Sequence, residues 1–264
     1  MSQVAALPMY DWPEIRAETD ALWSQLAKAL RSCGVEAPER LARNNAALPP
    51  VPGGIRDETG AVIAADPADL PSDELDLQAL WHHPDLLLAQ TCWGPMNAGL
   101  HEHVQLVGQP DYSSCEGGAG ACYSSAVLMR RGEGAERSVA APLEGNALLP
   151  LDRMKGARIA YNEPVSMSGY LALMQDIDSD AGLFAETVET GSHRASAQAV
   201  AEGRADLCTV DCRSWALIQR FEPYAAELVA VGWTARRKGL PYITSRYTAP
   251  NDIRVLRQVL ALGD

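Results

Sequence analysis

No run of apolar residues in this sequence is long enough to span a membrane, so the chain is not expected to be membrane-embedded. Positive charge is also scarce. Against 34 Asp and Glu stand only 22 Lys and Arg, a formal charge of -12, which argues against a nucleic-acid or anionic-membrane partner. The start, Met1-Ser-Gln-Val-Ala-Ala-Leu-Pro-Met-Tyr10, lacks both a basic segment and a long apolar one, so it does not read as a secretory signal. The expected location is cytoplasmic if Met1 is the natural start and periplasmic if it is not. None of the six cysteines (Cys33, Cys92, Cys115, Cys122, Cys208, Cys212) forms a C-x-x-C pair, and their spacing fits no common zinc template. Cys115 and Cys122 flank a glycine-rich loop and could bridge if oxidised. His82-His83 and His101-Glu102-His103 have no partner cluster, so no metal is expected, and no cofactor. There is no G-x-S-x-G elbow, because Pro164 and Val165 precede Ser166. Gly117-Gly118-Ala119-Gly120 lacks the surroundings of a dinucleotide or P-loop motif.

What is present is a folded, soluble composition, 47% hydrophobic and 21% charged, on 264 residues, enough for one large domain or two smaller ones. Apolar periodicity predicts a strand over Val4–Tyr10, then a helix from Glu14 to Arg31 with Gly34 as its stop. Residues 44 to 74 are turn-rich and poorly periodic, and read as an excursion with a small hairpin arm near 60–64. Strands come next at 85–91, 104–107, 122–129, 158–161, 184–190, 205–210 and 228–234, with an extended segment at 240–244. Helices are expected at 76–81, after Tyr170, at 196–202, at 214–220 and at 252–262. Residues 91–95 read as a turn. Strands alternating with helices imply an α/β class, and so many strands imply two lobes with a sheet each.

In open α/β sheets ligands gather beyond the carboxyl ends of strands. Those ends carry Tyr10 with Trp12, Gln90-Thr91, Ser166-Met167-Ser168-Gly169, Gly191-Ser192-His193, and Asp211. Each of these could be an ordinary cap or loop residue; taken together they favour a binding site. Lys and Arg are nearly absent from the set, with only Arg194 adjacent. An oxyanion here is expected to be held by hydroxyls, backbone N–H groups and His193. Acceptors such as Asp211 and Glu163 suit a ligand that carries protons of its own.

At these residues the sequence resembles the phosphate/phosphite/phosphonate-binding proteins of ABC transporters, which have the type II periplasmic-binding-protein fold. The resemblance is carried by Leu7-Pro-Met-Tyr10, Asp85–Thr91, Ala160-Tyr-Asn-Glu-Pro-Val-Ser-Met-Ser-Gly169, Thr190-Gly-Ser-His193, Ala205-Asp206 with Asp211, and Gly239–Ser245. It implies two lobes, each with a mixed, mostly parallel sheet, joined by two crossing segments and closing on a ligand by hinge motion. The implied division is 1–122 with 232–264 as lobe 1 and 123–231 as lobe 2. The implied ligand residues are Tyr10, Trp12, Thr91, Ser166, Met167, Ser168, Gly169, His193 and Asp211. Met167 stands where the family carries a hydroxyl, which leaves its backbone N–H as the donor. Gln90-Thr91-Cys92 replaces an aromatic or aspartate-bearing segment.

The expected function is therefore non-catalytic binding of a small phosphate- or phosphonate-like oxyanion in an interlobe cleft, with an ABC-transporter permease as the implied partner. Two other readings stay open. One is a cytoplasmic enzyme of small-metabolite or cofactor biosynthesis on the same fold, with His193 and Asp211 as acid and base and Cys92 as nucleophile. The other is a cytoplasmic sensor whose ligand-closed form a partner protein recognises.

Overall fold

A computed structural model describes residues 3–132, 135–177 and 182–262. The chain falls into two compact units, residues 1–110 with 240–264, and residues 111–239, so it passes between them twice. The outermost residues, 1–2 and 263–264, expected in lobe 1, lie outside the described residues. Residues 111–122 and 232–239 group with the second unit rather than with the first. The reason is a small sheet in which Cys122–Tyr123 pairs with Gly118–Ala119 on one side and Arg237–Lys238 on the other.

The first unit has a four-stranded mixed sheet ordered Val4–Ala6, Leu86–Gln90, Tyr242–Ser245, Val104–Gly108. The first pair is parallel and the other two are antiparallel. Both faces are covered. Ala5, Leu7, Leu87, Leu88 and Val107 join Trp23, Leu26 and Leu30 of helix Arg16–Ser32 and Leu256 of helix Pro250–Leu262 in one core. Val4, Ala6, Leu86 and Ala89 face a second core. Val4, Ala5 and Ala6 alternate between the two cores, the period-two signature of a strand buried on both sides.

Three expectations in this unit change. The first strand ends at Ala6, and Pro8–Tyr10 form a 3₁₀ turn. Proline has no N–H to continue a ladder and its fixed φ suits a helical first turn. The 91–95 turn leads into a short helix, Trp93–Asn97. Residues 44–74 are not a loose excursion. Leu48, Ile55 and Ala64 enter the second core. Buried Asn45 ties two chain segments, donating to Pro71 O at 2.9 Å and accepting from Asp76 N at 2.9 Å. Polar anchoring of this kind has no hydrophobic period for a sequence to display.

The second unit has a five-stranded sheet ordered Glu186–Glu189, Arg158–Tyr161, Leu207–Asp211, Ser125–Arg130, Leu228–Trp233. The first three strands are mutually parallel, and Ser125–Arg130 runs antiparallel to both neighbours. Val127, Ile159, Leu207 and Val229 pack with Met154 and Leu173 in its core. Helix His193–Ala201 lies against strands 158–161, 207–211 and 125–130. Each sheet is mixed, and both units are α/β.

Candidate functional site

Three parallel strands of the second unit end at the same edge of its sheet, and local capping chemistry fixes the loop beyond each end. After Tyr161 the chain turns through Asn162 toward Ser166, whose hydroxyl accepts from Gly169 N at 3.1 Å and caps a single wide turn, Met167–Leu171. That turn runs straight into helix Ala172–Asp176. After Glu189, Gly191 takes a φ of 82°, which a glycine adopts without strain. Ser192 then accepts from Ala195 N at 3.1 Å, so the helix begins at His193 rather than at Ser196. The two loops are laced together by Thr190 N to Tyr161 O and Gly191 N to Asn162 O, both 2.9 Å. At the third strand end, Asp211 Oδ1 accepts from Arg213 N at 3.0 Å and Ser214 N at 2.9 Å and starts helix Cys212–Phe221.

These devices bring Ser168, His193 and Asp211 together. Ser168 Oγ lies 2.9 Å from His193 Nε2, and the same nitrogen is 3.3 Å from Asp211 Oδ2. Thr209 donates its hydroxyl to Gly169 O at 2.7 Å, which anchors the Met167–Leu171 turn to strand Leu207–Asp211. Gly169 is required by space, not by its dihedral angles. A Cβ there would stand 1.8 Å from Asn162 Oδ1 and 3.1 Å from His193 Cε1. Two polar atoms in this cluster, His193 Nδ1 and Asn162 Oδ1, are buried without a hydrogen-bond partner. A buried polar group left unpaired is costly, and such groups are expected where a ligand completes the network.

The ring nitrogen geometry decides the chemistry. A carboxylate only accepts, so the Nε2 proton points to Asp211 and Ser168. Burial pushes the imidazole pKa down, and the neighbouring Asp211 carboxylate opposes this without reversing it. The neutral ring therefore leaves Nδ1 as an acceptor. Ser168, receiving the Nε2 proton, keeps its own O–H to donate elsewhere. In a Ser–His–acid relay the hydroxyl and the carboxylate sit on opposite ring nitrogens. Here both meet Nε2, so the acid does not orient the ring for proton abstraction from the serine. The cluster is equipped to hydrogen-bond, with one hydroxyl donor and acceptors at Nδ1 and Asn162 Oδ1.

Of the residues expected from sequence, Ser166, Met167, Ser168, Gly169, His193 and Asp211 lie in this neighbourhood. Ser166 and Met167 are buried, and the Ser166 hydroxyl is engaged by the cap. Tyr10, Trp12 and Thr91 belong to the first unit. Tyr10 closes the 3₁₀ turn with its side chain buried, and Trp12 is half-buried, its N–H donating to Tyr10 O at 2.9 Å. Thr91 is fully buried. Its backbone donates to Pro241 O at 3.1 Å, and its hydroxyl, like Gln90 Oε1, is unpaired. Asn162 and Thr209 were missed as site residues. Asn162 could have been found, since it is the first residue beyond a predicted strand. Thr209 could not, since it sits within a strand and nothing local marks it.

His83, buried, shares Nε2 with Pro49 O at 2.9 Å, and His101 Nδ1 lies 2.8 Å from Met96 O. Among the described residues no group of three or more His, Cys, Asp or Glu is arranged to hold a metal ion.

In structure the chain is similar to PhnD1 from Prochlorococcus marinus in complex with methylphosphonate, at 14% identity and a TM-score of 0.60, covering 98% of this chain and 83% of that one. It is similar also to a binding-protein component of an ABC phosphonate transporter from Pseudomonas aeruginosa, at 14% identity and a TM-score of 0.55, covering 98% and 74%. A Xanthomonas citri protein bound to ATP aligns at 13% identity with a TM-score of 0.57, covering 98% and 82%. At such identities these likenesses establish the fold, that of type II periplasmic binding proteins. No curated protein matches the sequence. The family model described as ABC transporter, phosphonate, periplasmic substrate-binding protein matches residues 98–261, well over half of the chain and the whole of the Ser168–His193–Asp211 cluster, and the protein belongs to that family.

Proposed function

We propose that this protein is the substrate-binding component of an ABC transporter and holds a small phosphonate- or phosphate-like oxyanion without turning it over. The observation that carries the reading is the meeting of Ser168 and Asp211 on one nitrogen of His193, with buried Nδ1 and Asn162 Oδ1 left unpaired beside them. A ligand with both oxygen acceptors and an acidic O–H satisfies this set, which makes a monoprotonated phosphonate or phosphate the best chemical match. The family description supports a periplasmic setting and a permease partner. Methylphosphonate bound to the Prochlorococcus marinus relative supports the ligand class. Tyr10, Trp12 and Thr91 remain further candidate ligand residues on the family resemblance alone.

Calorimetric titration with methylphosphonate, phosphite and phosphate tests the proposal. At least one is expected to bind with one-to-one stoichiometry, and a Ser168→Ala/His193→Ala double variant is expected to lose that binding. Equal affinity in the double variant would sink the site assignment. Chemical change of the bound compound, followed by mass spectrometry, would sink the non-catalytic reading.

A further inference from the structure

The face of strand Leu207–Asp211 that carries the cluster continues onto its neighbour. Thr209 and Asp211 are two residues apart and so share a face, one reaching Gly169 O and the other His193 Nε2. Strand Ser125–Arg130 runs antiparallel beside them, with Val127 opposite Thr209 and Ser125 opposite Asp211. Directly opposed residues of an antiparallel pair point to the same side of the sheet. Val127 agrees, since it packs in one core with Leu173 of the helix that follows the Met167–Leu171 turn. Ser125 N–H donates to Thr234 Oγ1 at 2.8 Å and Ser125 O accepts from Thr234 N at 2.9 Å, both on the other neighbour. With both backbone groups turned away from Asp211, the Ser125–Asp211 pair is of the non-hydrogen-bonded kind, whose Cα atoms stand about 4.5 Å apart and whose side chains are closest. Ser125 is fully buried, yet its hydroxyl has no hydrogen-bond partner. A hydroxyl can turn about its C–O bond, so it stays unpaired only when no protein group is in reach. It joins His193 Nδ1 and Asn162 Oδ1 among the buried groups left unpaired at this end of the sheet.

We propose that Ser125 is a specificity-determining residue of the oxyanion site, which with Asp211 takes a protonated oxygen of the ligand and so refuses tetrahedral anions that carry no proton. The inference rests on the binding reading above. A ligand hydroxyl in this place donates its proton to the Asp211 carboxylate and accepts the Ser125 proton, so one group completes both. A deprotonated oxygen in the same place still accepts from Ser125 but sets its charge against the carboxylate in a desolvated gap. Discrimination then comes from a repulsive contact as well as an attractive one. Because both backbone groups of Ser125 are pinned to Thr234, the hydroxyl is held in position before any ligand arrives.

Methylphosphonate and methanesulfonate are the probes, titrated calorimetrically into the full chain at a pH where methylphosphonate is a monoanion. The two then match in shape and charge and differ by one hydroxyl proton. The wild type is expected to prefer methylphosphonate by at least about a hundredfold, as a site built around a ligand hydroxyl does. Ser125→Ala is expected to weaken methylphosphonate binding about tenfold and to leave methanesulfonate binding unchanged, which narrows the preference. Ser125→Cys keeps the shape, replaces the hydroxyl by a weak donor and should act in the same direction, so the test survives if the alanine variant fails to fold. Equal losses for both probes would reduce Ser125 to a structural role and overturn the proposal. So would a folded variant that binds methylphosphonate as tightly as the wild type, and either result leaves the Ser168–His193 site standing. Failure of the wild type to bind methylphosphonate, phosphite or phosphate overturns the binding reading itself, and this inference with it.

Discussion

Gly169 is the residue at which the cluster is least tolerant of change. Asn162 Oδ1 occupies the place a side chain would take, at 1.8 Å from a Cβ, and that oxygen is itself buried. Gly169→Ala must therefore displace the binding turn or the Asn162 amide. It is expected to cost about 1–3 kcal/mol in urea denaturation, as overpacking does, and to abolish oxyanion binding in calorimetry. His193 supplies a pH dependence of defined sign. Its folded pKa lies below the ordinary 6.5 because burial disfavours the charged ring. Well above pH 6.5 neither the folded nor the unfolded ring is protonated to any extent. As the pH falls below it, the unfolded chain takes up a proton that the folded chain refuses, so stability drops. The urea midpoint should fall on going from pH 7.5 to pH 5.5, and His193→Gln should remove that share of the decline. An unchanged pH profile in the variant would show that His193 does not contribute.

At the scale of elements, the binding turn depends on what holds helix Ala172–Asp176, its direct continuation. Asp176 at the helix end accepts from Ala235 N at 2.7 Å and pairs with Arg237 on the small three-stranded sheet. Its carboxylate is buried, so removal leaves the Arg237 charge with only the Ala235 carbonyl to bond and the Ala235 N–H without a partner. Asp176→Ala is expected to cost about 3 kcal/mol, measured by chemical denaturation, and to weaken oxyanion binding by loosening the support of Ser168. Asp176→Asn keeps an acceptor for Ala235 N and should lose less. Similar losses in the two variants would place the stabilisation in the ion pair alone. Asp211 serves its element and the ligand cluster at once, one oxygen capping a helix and the other facing His193. A binding defect in Asp211→Ala therefore includes about 1 kcal/mol of cap loss, and Asp211→Asn separates the two contributions.

For the whole molecule, the net charge of -12 repels an anion at long range, and no lysine or arginine is among the groups that form the cluster. Binding must come from short, desolvated hydrogen bonds, which salt screens weakly. Raising sodium chloride from about 0.05 to about 0.5 M should change the methylphosphonate dissociation constant by less than roughly threefold, and should speed association if it changes it at all. A tenfold loss of affinity would mean that unrecognised cations drive binding. Because ligand binds the folded chain and not the unfolded one, Tm should rise with methylphosphonate concentration, by about 2.7 kcal/mol of added stability at a hundred times the dissociation constant. A flat Tm at saturating concentrations would contradict the ligand class.

The sequence by itself determined the elements and most of the second unit's candidates, because those signals are local. Strand periodicity, the Ser166, Ser192 and Asp211 caps, and the glycines at 169 and 191 are all legible within a few residues. It also contained the anchoring of residues 44–74 by Asn45, but that has no distinctive local pattern. Only the tertiary structure decided that Ser168 and Asp211 share one nitrogen of His193 and that Asn162 fills the space beside Gly169. Those meetings arise from the register of parallel strands and the exit direction of each loop. They are set by packing across the sheet, between residues whose sequence separation gives no hint of their contact.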